Sequence, residues 1–214
     1  MTTDPIGAGA SERPDRRARR KAETHARLLD AARRHFVAHG YDGTRPQDIA
    51  QSADVAVGTF YAHFSDKRGA FLAFTEQAAR ELMERMRAGA GAATGFEERL
   101  YGSLDALLAY ADANPGVLQA AFADAAVIAA GLPRTASLQE RFARRLAEEL
   151  REGGATGRLH VDADPEILAH GIVGFIQQGL AHGAARGTER RRLLAAVTHF
   201  IARGLAPRSQ ESPQ

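Results

Sequence analysis

Cysteine is absent from the 214 residues. That excludes disulfide staples and thiolate metal sites, and it fits a reducing cytoplasm. Long apolar runs are absent as well. The longest, "AAFADAAVIAAGL" (Ala120 to Leu132), is interrupted by Asp124 and is too short to span a bilayer. The early basic residues are followed by no apolar segment of the secretory kind. A soluble, cytoplasmic chain with no membrane partner is expected. No stretch alternates β-branched and polar residues as a half-buried strand would, and no fixed period repeats. Also missing are a phosphate-binding glycine loop, a nucleophile elbow, an HExxH pair and carboxylates paired at helical spacing in a polar patch. Neither an enzyme nor a resident metal or other cofactor is expected.

What is present is 44% hydrophobic residues, enough for one or two cores. The net charge of +2 conceals an asymmetry. Residues 1–69 hold twelve Lys/Arg against nine Asp/Glu, whereas the remainder is slightly acidic. In "RPDRRARRK", Arg13 to Lys21, six of nine residues are basic. Such a run reads as a flexible arm that seeks polyanions, or as a solvated leader. Residues 1–15 and the tail 207–214 are expected to be disordered.

Helical periods begin in the basic region. Leu28, Ala32 and Phe36, with Leu29 and Ala31 beside them, mark an amphipathic helix that ends at His39-Gly40. "YDGT" reads as a loop. Thr44 and Gln47 have capping-box spacing, and Pro46 falls in the first turn of a short helix whose inner face is Ile49, Ala50 and Ala53. A second short helix starts near Ala56 or Val57, so residues 43–62 form a helix-turn-helix. At about 100° per residue, Phe60 and Phe64 point inward together, Gly58 and Ala62 point out, and Thr59 and Tyr61 flank them. That narrow strip suits close approach to a major groove. Tyr61, His63 and Lys67 supply donors at its rim. Taken singly, the three read as a core aromatic, a structural histidine and a solvated charge. A long helix starts at "SDKRGAF" with Ser65 as N-cap and ends in "AGAGAATG". Five more helical segments follow: 96–114, 115–130, 133–152, 165–186 and 188–205. The fold class is all-α.

The stretch "GYDGT…DIAQSADVAVGTFYAHFSDKRGAF" resembles the TetR family of bacterial transcriptional regulators. The matching positions are Gly40, Tyr41, Thr44, Ile49, Ala50, Val55, Gly58, Thr59, Phe60, Tyr61, His63, Phe64 and Lys67. Asp54 and Ala56 depart from the family's usual turn glycine and N-cap serine. The resemblance implies a DNA-binding domain over residues 16–80. Its contacts are expected from Thr44, Arg45, Gln47, Val57, Gly58, Thr59, Tyr61, His63 and Lys67. Arg45, Gln47 and Val57 to Thr59 are placed for base edges, and Tyr61, His63 and Lys67 for phosphates.

For residues 81–206 the resemblance implies a helical regulatory and dimerisation domain with a pocket for a small hydrophobic or amphipathic ligand. The predicted partners are therefore an operator in double-stranded DNA, a second copy and that ligand. Gly171, Gly174, Gly179 and Gly183, with the stripe Leu194, Val197, Ile201 and Leu205, predict a four-helix interface across a twofold axis. The alternative is that both helices merely close an intramolecular core; the family resemblance favours the dimer. Candidate ligand contacts are Tyr110, Asp124, Phe142, His170, Phe175 and Gln178. Asp124 lies on an apolar stripe and needs a partner, either a basic ligand or a protein cation. The function expected is a ligand-responsive repressor. The alternatives are a ligand-independent DNA-binding or protein-interaction regulator and, from another class, a helical enzyme.

Overall fold

The computed structural model describes residues 12–122, 131 and 137–207. Among them are nine helices and no strand: α1 (Glu12–Gly43), α2 (Pro46–Ser52), α3 (Val57–His63), α4 (Lys67–Ala90), α5 (Phe96–Ala113), α6 (Val117–Phe122), α7 (Leu138–Ala155), α8 (Pro165–Ala185) and α9 (Arg190–Gly204). The all-α reading holds. The chain divides into two compact units between Glu76 and Gln77, inside α4.

In the first unit, α1 starts at Glu12, so its first turns include the basic run that sequence assigned to a flexible arm. Arg, Ala, Lys and Glu are strong helix formers. Arg19 and Glu23 add an ion pair at i,i+4 spacing, 3.0 Å apart. Gly40 breaks the helix with φ 68°, a conformation that costs glycine little. The chain then resumes a helical turn through Gly43 where a loop was expected.

Thr44 closes this kink by donating its hydroxyl to the Gly40 carbonyl at 2.7 Å. The expected capping box is therefore not formed. The N-cap of α2 is Arg45, which has extended backbone and no side-chain cap, and Pro46 fills the first turn. Asp66, not Ser65, caps α4: its carboxylate accepts from the Gly69 N–H at 2.7 Å. The core of this unit joins Leu28, Ala32 and Phe36 of α1 to Ile49 of α2, Phe60 of α3 and Phe71 and Phe74 of α4, all fully buried. Phe36 meets Phe71 edge-on at 5.0 Å and stacks on Phe74 at 5.8 Å. Truncating such a phenylalanine costs about 3–5 kcal/mol.

In the second unit, α8 packs on α7, and α9 packs on α5 and α8. Leu194, Val197, Ile201 and Leu205 are buried here with Leu104, Ala147, Leu150 and Ala169. The stripe assigned to a subunit interface thus closes an intramolecular core, because α5 and α8 lie against it. Gly183 and Gly179 make room for this packing: a Cβ at 183 would lie 2.4 Å from Leu193, and one at 179 would lie 3.2 Å from Val197. The tightest approach is between α4 and α5, where a Cβ on Gly102 would sit 2.0 Å from the Gly89 carbonyl oxygen. Arg190 pins α9 to α5 through Asp105 at 2.8 Å and Asp112 at 3.0 Å. α9 begins at Arg190 rather than Thr188, because Glu189 accepts from the N–H groups of Arg191 and Arg192.

Candidate functional site

Two short helices of the first unit carry the site. Their turn is fixed from below. Arg27 of α1 donates to the carbonyls of Ala53 and Asp54, the latter at 3.1 Å. Asp54 takes φ 52°, a left-handed conformation that aspartate tolerates better than most residues. His35 meets the Ser52 hydroxyl at 2.7 Å from the same side. α3 then starts at Val57, after an N-cap, Ala56, that offers no side-chain cap. Its hold on the domain is Phe60, fully buried, and Phe64 just beyond it.

With that face anchored, the opposite face is bare. Val57 is 37% exposed and Tyr61 50%. Gly58 and Ala62 are exposed too, and a Cβ on Gly58 would meet no heavy atom within 4 Å. Arg45 and Gln47 are exposed at the start of α2. Gln47 joins Gln51, Val55 and Val57 along a shallow concavity between the two helices. The sequence reading of this strip is what the fold presents, with one correction. Thr44 is 1% exposed and its hydroxyl is engaged, so its side chain leaves the candidate surface.

Two rim donors have partners that sequence did not reveal. Lys67 donates to the Tyr41 carbonyl at 3.0 Å, and its ammonium lies 4.4 Å from the Tyr41 ring. His63 lies 5.5 Å from the ring of His25 on α1. Burial holds its pKa below the ordinary 6.5, with His25 and then Lys21 adding to the effect. Lys21 precedes His25 by one helical turn and is exposed, so a cationic face of α1 runs toward the end of α3. Arg27 and His25 carry no sequence signature of their own. Each sits beside the apolar stripe of α1, where a polar residue usually faces water.

The second unit holds a cavity of about 430 Å³ between α4, α5, α7 and α8. Of the five predicted ligand contacts among the described residues, Phe142 alone lines it. Tyr110 is buried, and its hydroxyl donates to Glu81 at 3.1 Å. His170 is exposed, with Nδ1 donating to the Glu166 carbonyl at 2.7 Å and Nε2 facing Glu140 at 3.2 Å. Those two bonds, the backbone one first, raise its pKa. Phe175 is exposed and stacks on Phe200 at 4.8 Å, and Gln178 is exposed. Asp124 lies outside the described residues. No group of three His, Asp or Glu among the described residues is placed to hold a metal ion. No described helix is long and apolar enough to cross a membrane.

The family model for bacterial regulatory proteins of the tetR family matches residues 28–74, from α1 into α4. The HTH-type transcriptional repressor Rv1474c of Mycobacterium tuberculosis is 28% identical over 183 residues, covering 82% of this chain and 90% of that protein. A TetR-family transcriptional regulator from Pectobacterium atrosepticum superposes with a TM-score of 0.60 at 28% identity, over 88% of this chain and 98% of that one. A TetR family regulator from Marinobacter aquaeolei gives a TM-score of 0.66 over 89% of this chain and all of that one, and at 17% identity it speaks for the fold alone.

Proposed function

From the premise that this chain is a DNA-binding transcriptional regulator with a TetR-family DNA-binding domain, we propose that it is a cytoplasmic, homodimeric repressor released from its operator by a small molecule. The observation that carries this reading is the bare strip of α3. A helix held by Phe60 and Phe64 presents Val57, Gly58, Tyr61 and Ala62 to solvent with nothing above Gly58. A major groove accepts that shape. Arg45, Gln47 and Val57 to Thr59 then reach base edges, while Tyr61, His63, Lys67 and the basic face of α1 meet phosphates.

A second copy fits the exposed face of α8. Ile167, Gly171, Gly174, Phe175, Gln178 and His182 fall within about 100° of arc on a helix. Ile167 is 72% exposed, and Phe175 carries Phe200 of α9, itself 65% exposed. Gly171 and Gly174 have no neighbour within 4 Å of a Cβ. Each costs the helix about 1 kcal/mol, a penalty that close approach of a partner helix would offset. Two copies joined there would offer two recognition helices to half-sites about 34–36 Å apart. The cavity of the second unit supports the effector site.

The test is selection of bound duplexes from a random pool by the full-length protein. Enrichment of one palindromic site, with two protomers per duplex by sedimentation, is the expected result. Binding that enriches no sequence would defeat the operator reading.

A further inference from the structure

The cavity is polar at one end only. α4 and α5 run antiparallel along it: Gly89 touches Gly102, Ser103 bonds to the Met86 carbonyl, and Tyr110 bonds to Glu81. The C-terminal end of α4 therefore lies beside the start of α5. Arg99 of α5 pairs with Glu149 of α7 at 2.6 Å, which brings the later half of α7 to the same end. The charged lining residues among those described fall in these segments or just after α7, except Arg145, which sits near the middle of α7. Away from them the walls are Met83, Leu107, Phe142, Val173 and Ile176. A volume of about 430 Å³ is within the range of small-molecule sites.

Such walls call for an elongated apolar body with one polar end. The sign of that end follows from the pairing. Four arginines and three glutamates line the cavity, and Arg99 neutralises Glu149. Arg87, Arg145 and Arg158 then face Glu148 and Glu152. No ion pair among the described residues engages Arg87, Arg145, Glu148 or Glu152, and all four are exposed, so with Arg158 the arginines left over outnumber the glutamates by one. The guanidinium forks of Arg87 and Arg145 match an oxyanion.

We propose that the cavity binds an anionic amphiphile, apolar body toward Leu107 and Phe142 and anionic head toward Arg87 and Arg145. The assignment rests on the effector reading only for its consequence on DNA.

Calorimetric titration of the full chain with decanoate, decanol and decyltrimethylammonium, each below its micellar range, tests it. Decanoate binds about tenfold tighter than the other two, the size of one charge-assisted hydrogen bond. Arg87→Glu and Arg145→Glu, both at exposed positions, each weaken decanoate about tenfold and leave decanol within about twofold. Equal binding of the three, or preference for the cation, overturns the anionic assignment and leaves an effector pocket standing. Failure of all three to bind overturns both. Decanoate that binds without releasing the operator supports the ligand class and removes the effector reading.

Discussion

Replacing Gly58 separates folding from DNA recognition at one position. In the folded domain a Cβ there meets no heavy atom within 4 Å, so Gly58→Ala introduces no clash. Glycine to alanine in a helix interior gains up to about 1 kcal/mol, largely by restricting the unfolded chain. Gly58 is the second residue of a seven-residue helix, where the gain falls to about 0.5 kcal/mol. For a chain of this length that raises the melting midpoint by about 1–2 °C. Gly58→Leu should also fold, because its side chain points into the same open space. On DNA the two variants part. A leucine standing between α3 and the groove floor holds the helix away from the base edges, so operator affinity falls about tenfold or more, at least about 1.4 kcal/mol. Binding to random duplex falls less, because rim contacts to phosphate do not require the close approach. Calorimetry and fluorescence anisotropy on selected and scrambled duplexes at one salt concentration give both quantities. Native-like melting of Gly58→Leu with undiminished operator affinity would refute the docking of this strip. A lowered midpoint for Gly58→Ala would refute the open space above it.

Lys67→Met should lose about 1–2 kcal/mol of stability, from its bond to the Tyr41 carbonyl and its place on that ring. It should weaken operator and random DNA alike with a salt slope lower by about one, whereas Gln47→Ala should cost about 1–3 kcal/mol on the operator alone. Phe175→Arg should give folded monomers by sedimentation, since that ring is already 39% exposed. Ile201→Arg, at a position 5% exposed in the core, should instead lose its circular dichroism melt. The folded state keeps His63 neutral more readily than the unfolded chain does, so its contribution to stability is present above pH 6.5 and is lost as pH falls through its lowered value. His170 runs the other way, its contribution present below pH 6.5 and lost as pH rises through its raised value. In melting profiles against pH, His63→Gln should therefore flatten the acid side and His170→Gln the neutral-to-alkaline side.

Periodicity made the helices legible because the requirement to bury one face repeats with the turn. The inward pair Phe60 and Phe64 and the outward pair Gly58 and Ala62 needed nothing more than a helical wheel. Periodicity does not say what covers an apolar face. Leu194, Val197, Ile201 and Leu205 look the same whether a second subunit or α5 and α8 lie over them, and only the fold decided it. Phe175 was assigned to a ligand for the same reason. It faces solvent with Phe200, on the side of α8 that the core leaves free. Capping was misread where two acceptors or donors compete. Thr44 has the spacing of a capping box, yet the carbonyl that the Gly40 kink frees is nearer and takes its hydroxyl. Ser65 lost the start of α4 to Asp66, a stronger acceptor one residue closer. Of the predicted ligand contacts among the described residues only Phe142 reached the cavity, because its polarity comes from α5 and α7 meeting through Arg99 and Glu149, fifty residues apart.

Two of the proposed phosphate contacts share a property that the sequence hid. They are already held by their own domain: Lys67 on Tyr41 and His63 on His25, over a turn clamped by Arg27. A free lysine at the rim would lose about 0.5–1.5 kcal/mol of side-chain freedom on docking. Lys67 has lost part of that on folding, and its ammonium retains two further donors after bonding to Tyr41. Burial, then His25 and Lys21, favours neutral His63 in the free protein, and a phosphate beside it would favour the protonated form. If the proposed phosphate contact forms, docking at that edge would therefore draw a proton from solution. Two contacts of the same geometric class thus respond to different variables, Lys67 to salt through counterion release and His63 to pH through proton uptake. Measured together on a selected duplex, the two dependences should report which edge of α3 meets the backbone, independently of the base contacts proposed for α2 and α3.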